Sequence, residues 1–138
     1  VQLKKLKKNL HLRQKNFNIH SKFFKNYSKF FILPKQLEYS KTGWLAYPLT
    51  IRQDSPFTRT EMQIFLEKRN IQTRVIFTGN ITRQPGFKKI KMKKCRNGYP
   101  ESDSVMKNGI LLGCHHGLTK NMILHMHNSI EGFINSKS

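Results

Sequence analysis

The residues most suited to metal chemistry in this chain are Cys114-His115-His116. A thiolate beside imidazoles is a donor set that zinc accepts. Neighbouring residues on an extended segment point to opposite faces, however, so one ion would not readily collect all three. His125 and His127 stand two apart in a helical pattern, ~200° around the axis, and could not share an ion either. Cys95 and Cys114 are too few for a disulfide scaffold, and no Cys-x-x-Cys pair exists. A lone buried cysteine acts as a small hydrophobe, so neither is read as a ligand and these histidines are read as incidental. The chain carries no glycine-rich phosphate loop, no Gly-x-Ser-x-Gly and no His-Glu-x-x-His. No catalytic set and no metal site is therefore expected within it. What stands out instead is Thr73-Arg74-Val75-Ile76-Phe77-Thr78-Gly79-Asn80-Ile81-Thr82-Arg83-Gln84-Pro85.

Around that stretch the charge is uneven. The 138 residues carry a formal net charge of +19. Residues 1–41 hold ten Lys and one Arg against Glu38 alone, and residues 83–96 hold seven bases and no acid. Such blocks raise a nucleic-acid reading. No nucleic-acid fold signature accompanies them, so solvated lysines are the preferred reading and nucleic acid is kept as the rival from another class. The longest apolar run, Phe30-Phe31-Ile32-Leu33, is far short of the ~20 residues of a membrane helix. No apolar leader core follows Val1. A soluble, cytoplasmic setting without membrane contact is expected.

The elements that must position the stretch can be read from periodicity. Val1 to about Tyr27 reads as a helix, with Leu3, Leu6, Leu10 and Phe17 as a thin apolar stripe. Its start offers lysines where helices prefer acids, which suggests that the helix begins upstream of Val1. Phe30–Leu33 reads as a short extended piece ended by Pro34, and Lys35–Gly43 as a polar linker. Trp44–Arg52 reads as a strand with Leu45, Tyr47, Leu49 and Ile51 on its more apolar face; Pro48 marks it as an edge strand or an irregular one. Thr58-Arg59-Thr60-Glu61 has capping-box spacing ahead of a helix to about Arg69 that places Met62, Phe65 and Leu66 on one face. Thr73–Phe77 reads as a second strand. Thr82–Gly98 is a loop with room for a short helix, and Pro100–Met106 a short helix ended by Asn108-Gly109. Ile110–Gly113 is a third strand, and Thr119 caps a last helix bearing Met122, Met126, Ile130 and Phe133. The fold class is α+β, a short three-stranded, mainly antiparallel sheet covered by helices.

The segment Gly79-Asn80-x-x-Arg83-Gln84-Pro85 resembles a motif of the DegT/DnrJ/StrS aminotransferase family, in its CDP-6-deoxy-4-hexulose 3-dehydrase branch. Pro56-Phe57-Thr58-Arg59, the Trp44–Ile51 strand, Glu101-Ser102-Asp103-x-x-Met106, Gly113 and Gly117-Leu118-Thr119 match that family in order and spacing. Leu45 after Trp44 and Gly79-Asn80 depart from the aminotransferases and fit the dehydrase branch. The resemblance implies the small C-terminal domain of a fold type I pyridoxal-phosphate enzyme. Residues 1–30 would be a connecting helix from a large domain and residues 31–138 the small domain. It implies deoxygenation at C3 of a nucleotide 4-keto-6-deoxyhexose, for deoxysugar and lipopolysaccharide synthesis, or transamination as the alternative. Pyridoxal or pyridoxamine phosphate would be anchored outside this chain, as would an iron-sulfur cluster that works with a partner reductase. The complete enzyme would be a homodimer, and this chain alone would be inactive, contributing the lid and part of the nucleotide-sugar cleft. Arg74 and Arg83 would then contact the diphosphate, because a guanidinium forks onto two oxygens, and Asn80 and Gln84 would bond sugar or base edges. The bland alternative makes Arg74 a strand-edge ion pair and leaves Arg83 simply exposed.

Overall fold

The computed structural model describes residues 2–93 and 95–137. Four strands form one sheet in the order β1-β2-β4-β3. They are β1 (Phe31–Ile32), β2 (Ala46–Ile51), β3 (Arg74–Val75) and β4 (Gly109–Gly113), and every pairing is antiparallel. The helices are α1 (Gln2–Lys25), α2 (Arg59–Glu67), α3 (Pro100–Asn108) and α4 (Lys120–Asn135). The expected α+β class holds, with four strands rather than three. The additional one is the Phe30–Leu33 piece, which pairs Phe31 with Ile51 and Ile32 with Thr50.

Strand β2 shows how sequence alternation sets the layers. Tyr47, Leu49 and Ile51 are buried, while Ala46, Pro48 and Thr50 are only partly covered. Pro48 lies opposite Leu111. Since the Cys114 amide donates to the Leu45 carbonyl, alternation along the ladder makes Pro48–Leu111 a non-hydrogen-bonded pair, with the proline nitrogen turned away from β4. On that side β1 stops at Thr50. The strand is thus interior in sheet order yet locally an edge at its proline, which removes no ladder bond there.

The helices cover the Tyr47 face. Helix α2 has the full capping box: Thr58 accepts from the Glu61 amide, and the Glu61 carboxylate accepts from the Thr58 amide at 2.8 Å. It buries Met62 and Leu66; Phe65 is partly buried and packs against the same core. Helix α4, capped by Thr119, buries Ile123, Met126, Ile130 and Phe133, while Met122 is exposed. In α1 the expected stripe holds only at its end. Leu3, Leu6 and Leu10 are exposed, although Leu10 lies close to Gly43; the buried face is Asn16, Phe17, His20 and Phe24. Phe24 stacks on Tyr47 and meets Phe31 edge-on.

The imidazole of His20, fully buried, links three elements. One ring nitrogen, Nδ1, lies 2.9 Å from His127 Nε2 on α4, and the other, Nε2, lies 3.1 Å from the Gly113 carbonyl of β4. One consistent tautomer set has His20 Nε2 donating to Gly113 and His127 Nε2 donating to His20. Burial pushes both rings down to about 4, so both are neutral at neutral pH. Asn16 donates to the His115 carbonyl at 2.8 Å, and Tyr47 donates to the Ser21 hydroxyl. The α1 interface therefore joins aromatic packing to neutral hydrogen bonds.

Candidate functional site

The Arg74–Pro85 stretch begins on the edge strand β3 and leaves it abruptly. The strand ends at Val75, two residues short of the expected end, because Phe77 takes a left-handed φ of 44° with its ring 87% exposed. Gly79 follows at φ 62°. A Cβ at Gly79 would overlap the Met106 side chain of α3, so glycine is required both for the turn and for the close approach of that helix.

Asn80 is 3% exposed and caps a 3₁₀ turn, Ile81–Arg83. Its carbonyl oxygen accepts from the Thr82 amide at 3.0 Å and hydroxyl at 2.7 Å, while its amide donates to Asp103 Oδ1 at 2.7 Å. Arg83 forks onto the same carboxylate: Nε to Oδ1 at 3.0 Å and Nη2 to Oδ2 at 2.7 Å. The two donors hold the Asp103 carboxyl down at about 2, first through the Arg83 hydrogen bonds and then through Asn80. Gln84 donates to the Thr78 carbonyl at 3.0 Å. Arg59, at the start of α2, donates to the Met106 carbonyl at 2.6 Å, and its Nε is buried with no partner among the described residues. The turn, α3 and the start of α2 are thereby tied together.

The four residues singled out in the sequence do not converge on one cavity. Asn80 and Arg83 meet through Asp103, and Asn80 is built into the turn rather than offered to a ligand. Arg74 is exposed, with no ion pair among the described residues. It lies on the rim of a cavity of about 570 Å³ between β4 and α4, floored by Leu111, Leu112, Met122 and Met126. Gln84 lines a cavity of about 190 Å³ with Arg59 and Phe77. Arg83 lines a third, of about 230 Å³, inside the loop that follows. Against the bland alternative, Arg74 makes no ion pair among the described residues, and Arg83 is exposed as that alternative has it but is also paired with Asp103.

Sequence reasoning missed Asp103 as a partner and used it as a helix-start signal and as part of the Glu101-Ser102-Asp103-x-x-Met106 match. A weak signal existed, because Glu101 and Asp103 are the only acids between residues 68 and 130. The His20–His127 contact was missed as well, since nothing local announces a pair so distant in sequence.

The metal and cofactor expectations can be set against this geometry. The described residues contain no group of three metal-capable side chains. His125 Nε2 lies 2.9 Å from the Arg69 carbonyl, whereas His127 turns inward to His20. Cys114 is buried, its thiol pushed up to about 12 by that burial, and Cys95 is exposed. Pyridoxal phosphate needs a Schiff-base or imidazole group, an acid at its ring nitrogen and phosphate donors in one cavity. Every described lysine is exposed, and none of five cavities among the described residues brings a lysine together with a carboxylate. These residues do not by themselves form a site for that cofactor. No helix among the described residues is long and apolar enough to cross a membrane.

Known proteins share both sequence and fold with this chain. It is 36% identical over 107 residues to a dTDP-4-dehydro-2,6-dideoxy-D-glucose 3-dehydratase of Saccharopolyspora spinosa, which covers 78% of this chain and 23% of that protein. It is 31% identical over 101 residues to the lipopolysaccharide biosynthesis protein RfbH of Salmonella typhimurium, covering 73% of this chain and 23% of RfbH. The fold superposes on an E. coli GDP-4-keto-6-deoxy-D-mannose-3-dehydratase with bound hydrated PLP at a TM-score of 0.80 and 25% identity, covering 93% of this chain and 32% of that one. The chain therefore spans about a quarter to a third of the length of these relatives. The model of the DegT/DnrJ/EryC1/StrS aminotransferase family matches residues 1–131, and the chain belongs to that family.

Proposed function

We propose that this chain is the C-terminal part of a nucleotide-sugar 3-dehydratase. It would comprise a connecting helix over residues 1–30 and a small domain over residues 31–138 that closes on a nucleotide 4-keto-6-deoxyhexose. One observation carries the reading: the two curated relatives aligned over most of the chain include a sugar 3-dehydratase and a lipopolysaccharide biosynthesis protein. In the geometry, Arg83 is oriented by Asp103 while 61% of its side chain stays exposed, and Arg74 stands at a cavity rim with no ion pair among the described residues. These are guanidiniums suited to diphosphate oxygens. Gln84 would bond sugar or base edges, and Asn80 would position the turn.

Pyridoxal or pyridoxamine phosphate would supply the electron sink for loss of the C3 hydroxyl, held by residues outside this chain. An iron-sulfur centre, if the complete enzyme holds one, would have its ligands outside this chain, and a separate partner reductase would serve it. The complete enzyme would be a cytoplasmic homodimer serving deoxysugar and lipopolysaccharide synthesis. This chain would bind no nucleic acid at physiological salt.

Product analysis on the complete polypeptide tests the reading. A 3-deoxy product formed with pyridoxamine phosphate supports it. An amino sugar formed with an amino donor would transfer the chain to the aminotransferases of the same family. Conversion of neither kind, together with a gel shift on duplex DNA that weakens steeply with salt, would replace it with the nucleic-acid reading.

A further inference from the structure

Helix α1 contains no Asp or Glu, and most of its lysines are gathered on one side. Lys4, Lys8, Lys15, Lys22 and Lys25 recur at steps of whole helical turns, and His11 and Asn18 fill the gaps of the repeat. At ~100° per residue these positions, together with Lys7, share an arc of about 100° that runs ~30 Å along the axis. All are exposed, and none of these lysines has an ion pair among the described residues. The opposite side of the helix is the buried one, with Asn16, Phe17, His20 and Phe24, so packing on the core turns the ridge outward. Like charges one turn apart destabilise a helix. The buried face offsets that cost, and an anionic surface laid along the ridge would relieve it.

Two features choose among anionic partners. The arc bears no Phe, Tyr, Trp or Arg, the side chains on which bases stack and phosphates are forked. Beside the ridge, at the N-terminal end of the helix, Leu3 is 85% exposed and Leu6 45%. Leucines flanking lysines suit a lipid interface, where cations meet headgroup phosphates and apolar side chains reach the acyl boundary. A polynucleotide offers no such place. We propose that α1 docks on an anionic lipid surface, lying along it by the Lys4–Lys25 ridge with Leu3 entering the headgroup layer. The binding is peripheral and reversible. The expectation of no membrane contact weighed spanning and leader segments, which this mode does not use. It suits the cytoplasmic leaflet, whose lipids supply negative charge, and it does not depend on the nucleotide-sugar reading.

Cosedimentation with vesicles of phosphatidylcholine, with and without phosphatidylserine, tests it on the 138-residue chain and on the complete polypeptide, each folded by its urea transition. Both should pellet with the phosphatidylserine vesicles at physiological salt, stay in solution with phosphatidylcholine alone, and be released by high salt. Lys8→Glu and Lys15→Glu should each weaken partitioning at least roughly fivefold. Lys89→Glu, the same change of net charge in the other basic block, should not. Leu3→Ser should weaken partitioning severalfold without moving the urea midpoint, since that side chain is exposed. Equal losses in the ridge and control variants would reduce the effect to net charge and overturn the docking face. Binding by the 138-residue chain but not by the complete polypeptide would overturn it too, because the rest of the enzyme would then cover the ridge. Duplex DNA bound at the same salt and weakened by Lys8→Glu, with no vesicle binding, would put a polynucleotide in place of the lipid. A complete enzyme that dehydrates its sugar but ignores anionic vesicles sinks the docking surface alone.

Discussion

The α1 interface and the Asn80–Arg83 turn are both held by buried or half-buried polar groups, but of opposite kinds. At α1, His20, His127, Asn16 and Tyr47 are neutral and set among phenylalanines. At the turn, Asp103 and Arg83 are charged and partly open to water, their side chains 32% and 61% exposed. Neutral bonds in an apolar setting hold structure and resist salt. A charged clamp near the surface adds little stability, but it keeps a guanidinium aimed in one direction. The contrast assigns the scaffold to the first region and leaves the second as the one the proposed function would use for ligand recognition.

The contrast can be broken most forcefully at the scaffold. Phe24→Ala should cost about 3–5 kcal/mol, read from urea denaturation, because a fully buried ring leaves a cavity between Tyr47 and Phe31. A loss under about 1 kcal/mol would mean that α1 is not part of the core.

Acid should act next. The unfolded chain protonates His20 and His127 near 6.5, whereas burial delays this to about 4 in the folded chain. The unfolded state binds more protons between those values, so stability is full above pH 6.5 and falls as pH drops towards 4. The groups facing the pair are Tyr47, the Gly113 carbonyl and, one turn beyond His127, Glu131, which accepts from Tyr27. A decline on the order of 3 kcal/mol for each ring that becomes protonated is expected across that window. A flat profile, or one unchanged in His127→Gln, would contradict the neutral pair.

A smaller effect sharpens the local reading. Thr58→Ala removes the α2 cap and should cost about 1 kcal/mol. Least of all in global stability, Asp103→Asn should leave the denaturation midpoint nearly unchanged. Hydrogen exchange at Thr82 and Arg83 should accelerate in that variant, since the clamp is lost while the core stays intact. Because the Asp103 carboxyl is held at about 2, it remains charged down to that pH, and the protection it gives should be lost only as pH falls through that value. Equal destabilisation of the whole chain would show that the turn belongs to the scaffold after all.

The scaffold was the more legible region, for physical reasons. The capping box at Thr58–Glu61, the alternation of Tyr47, Leu49 and Ile51, and the Thr119 cap are local patterns, and each appears where expected. The burial of α1 was not legible. Its spacing points to Leu3, Leu6 and Leu10, yet which turns are covered depends on what lies opposite, and only the later turns meet the sheet. The site was half legible. Gly79 and Asn80 were conspicuous by type, but the partner of Arg83 lies 20 residues on in another helix. The separation of Arg74 from Arg83 follows from the break at Phe77, whose left-handed backbone is unusual for an aromatic residue and carries no sequence signal.

Central to the proposed function is that the domain would recognise a nucleotide sugar while the reaction centre would lie elsewhere in the enzyme. The most direct test is turnover by the 138-residue chain alone, supplied with pyridoxamine phosphate and a nucleotide 4-keto-6-deoxyhexose. Unchanged substrate, from a preparation that is folded by its urea transition, is the predicted result. Release of a 3-deoxy or amino sugar by the chain by itself would contradict it.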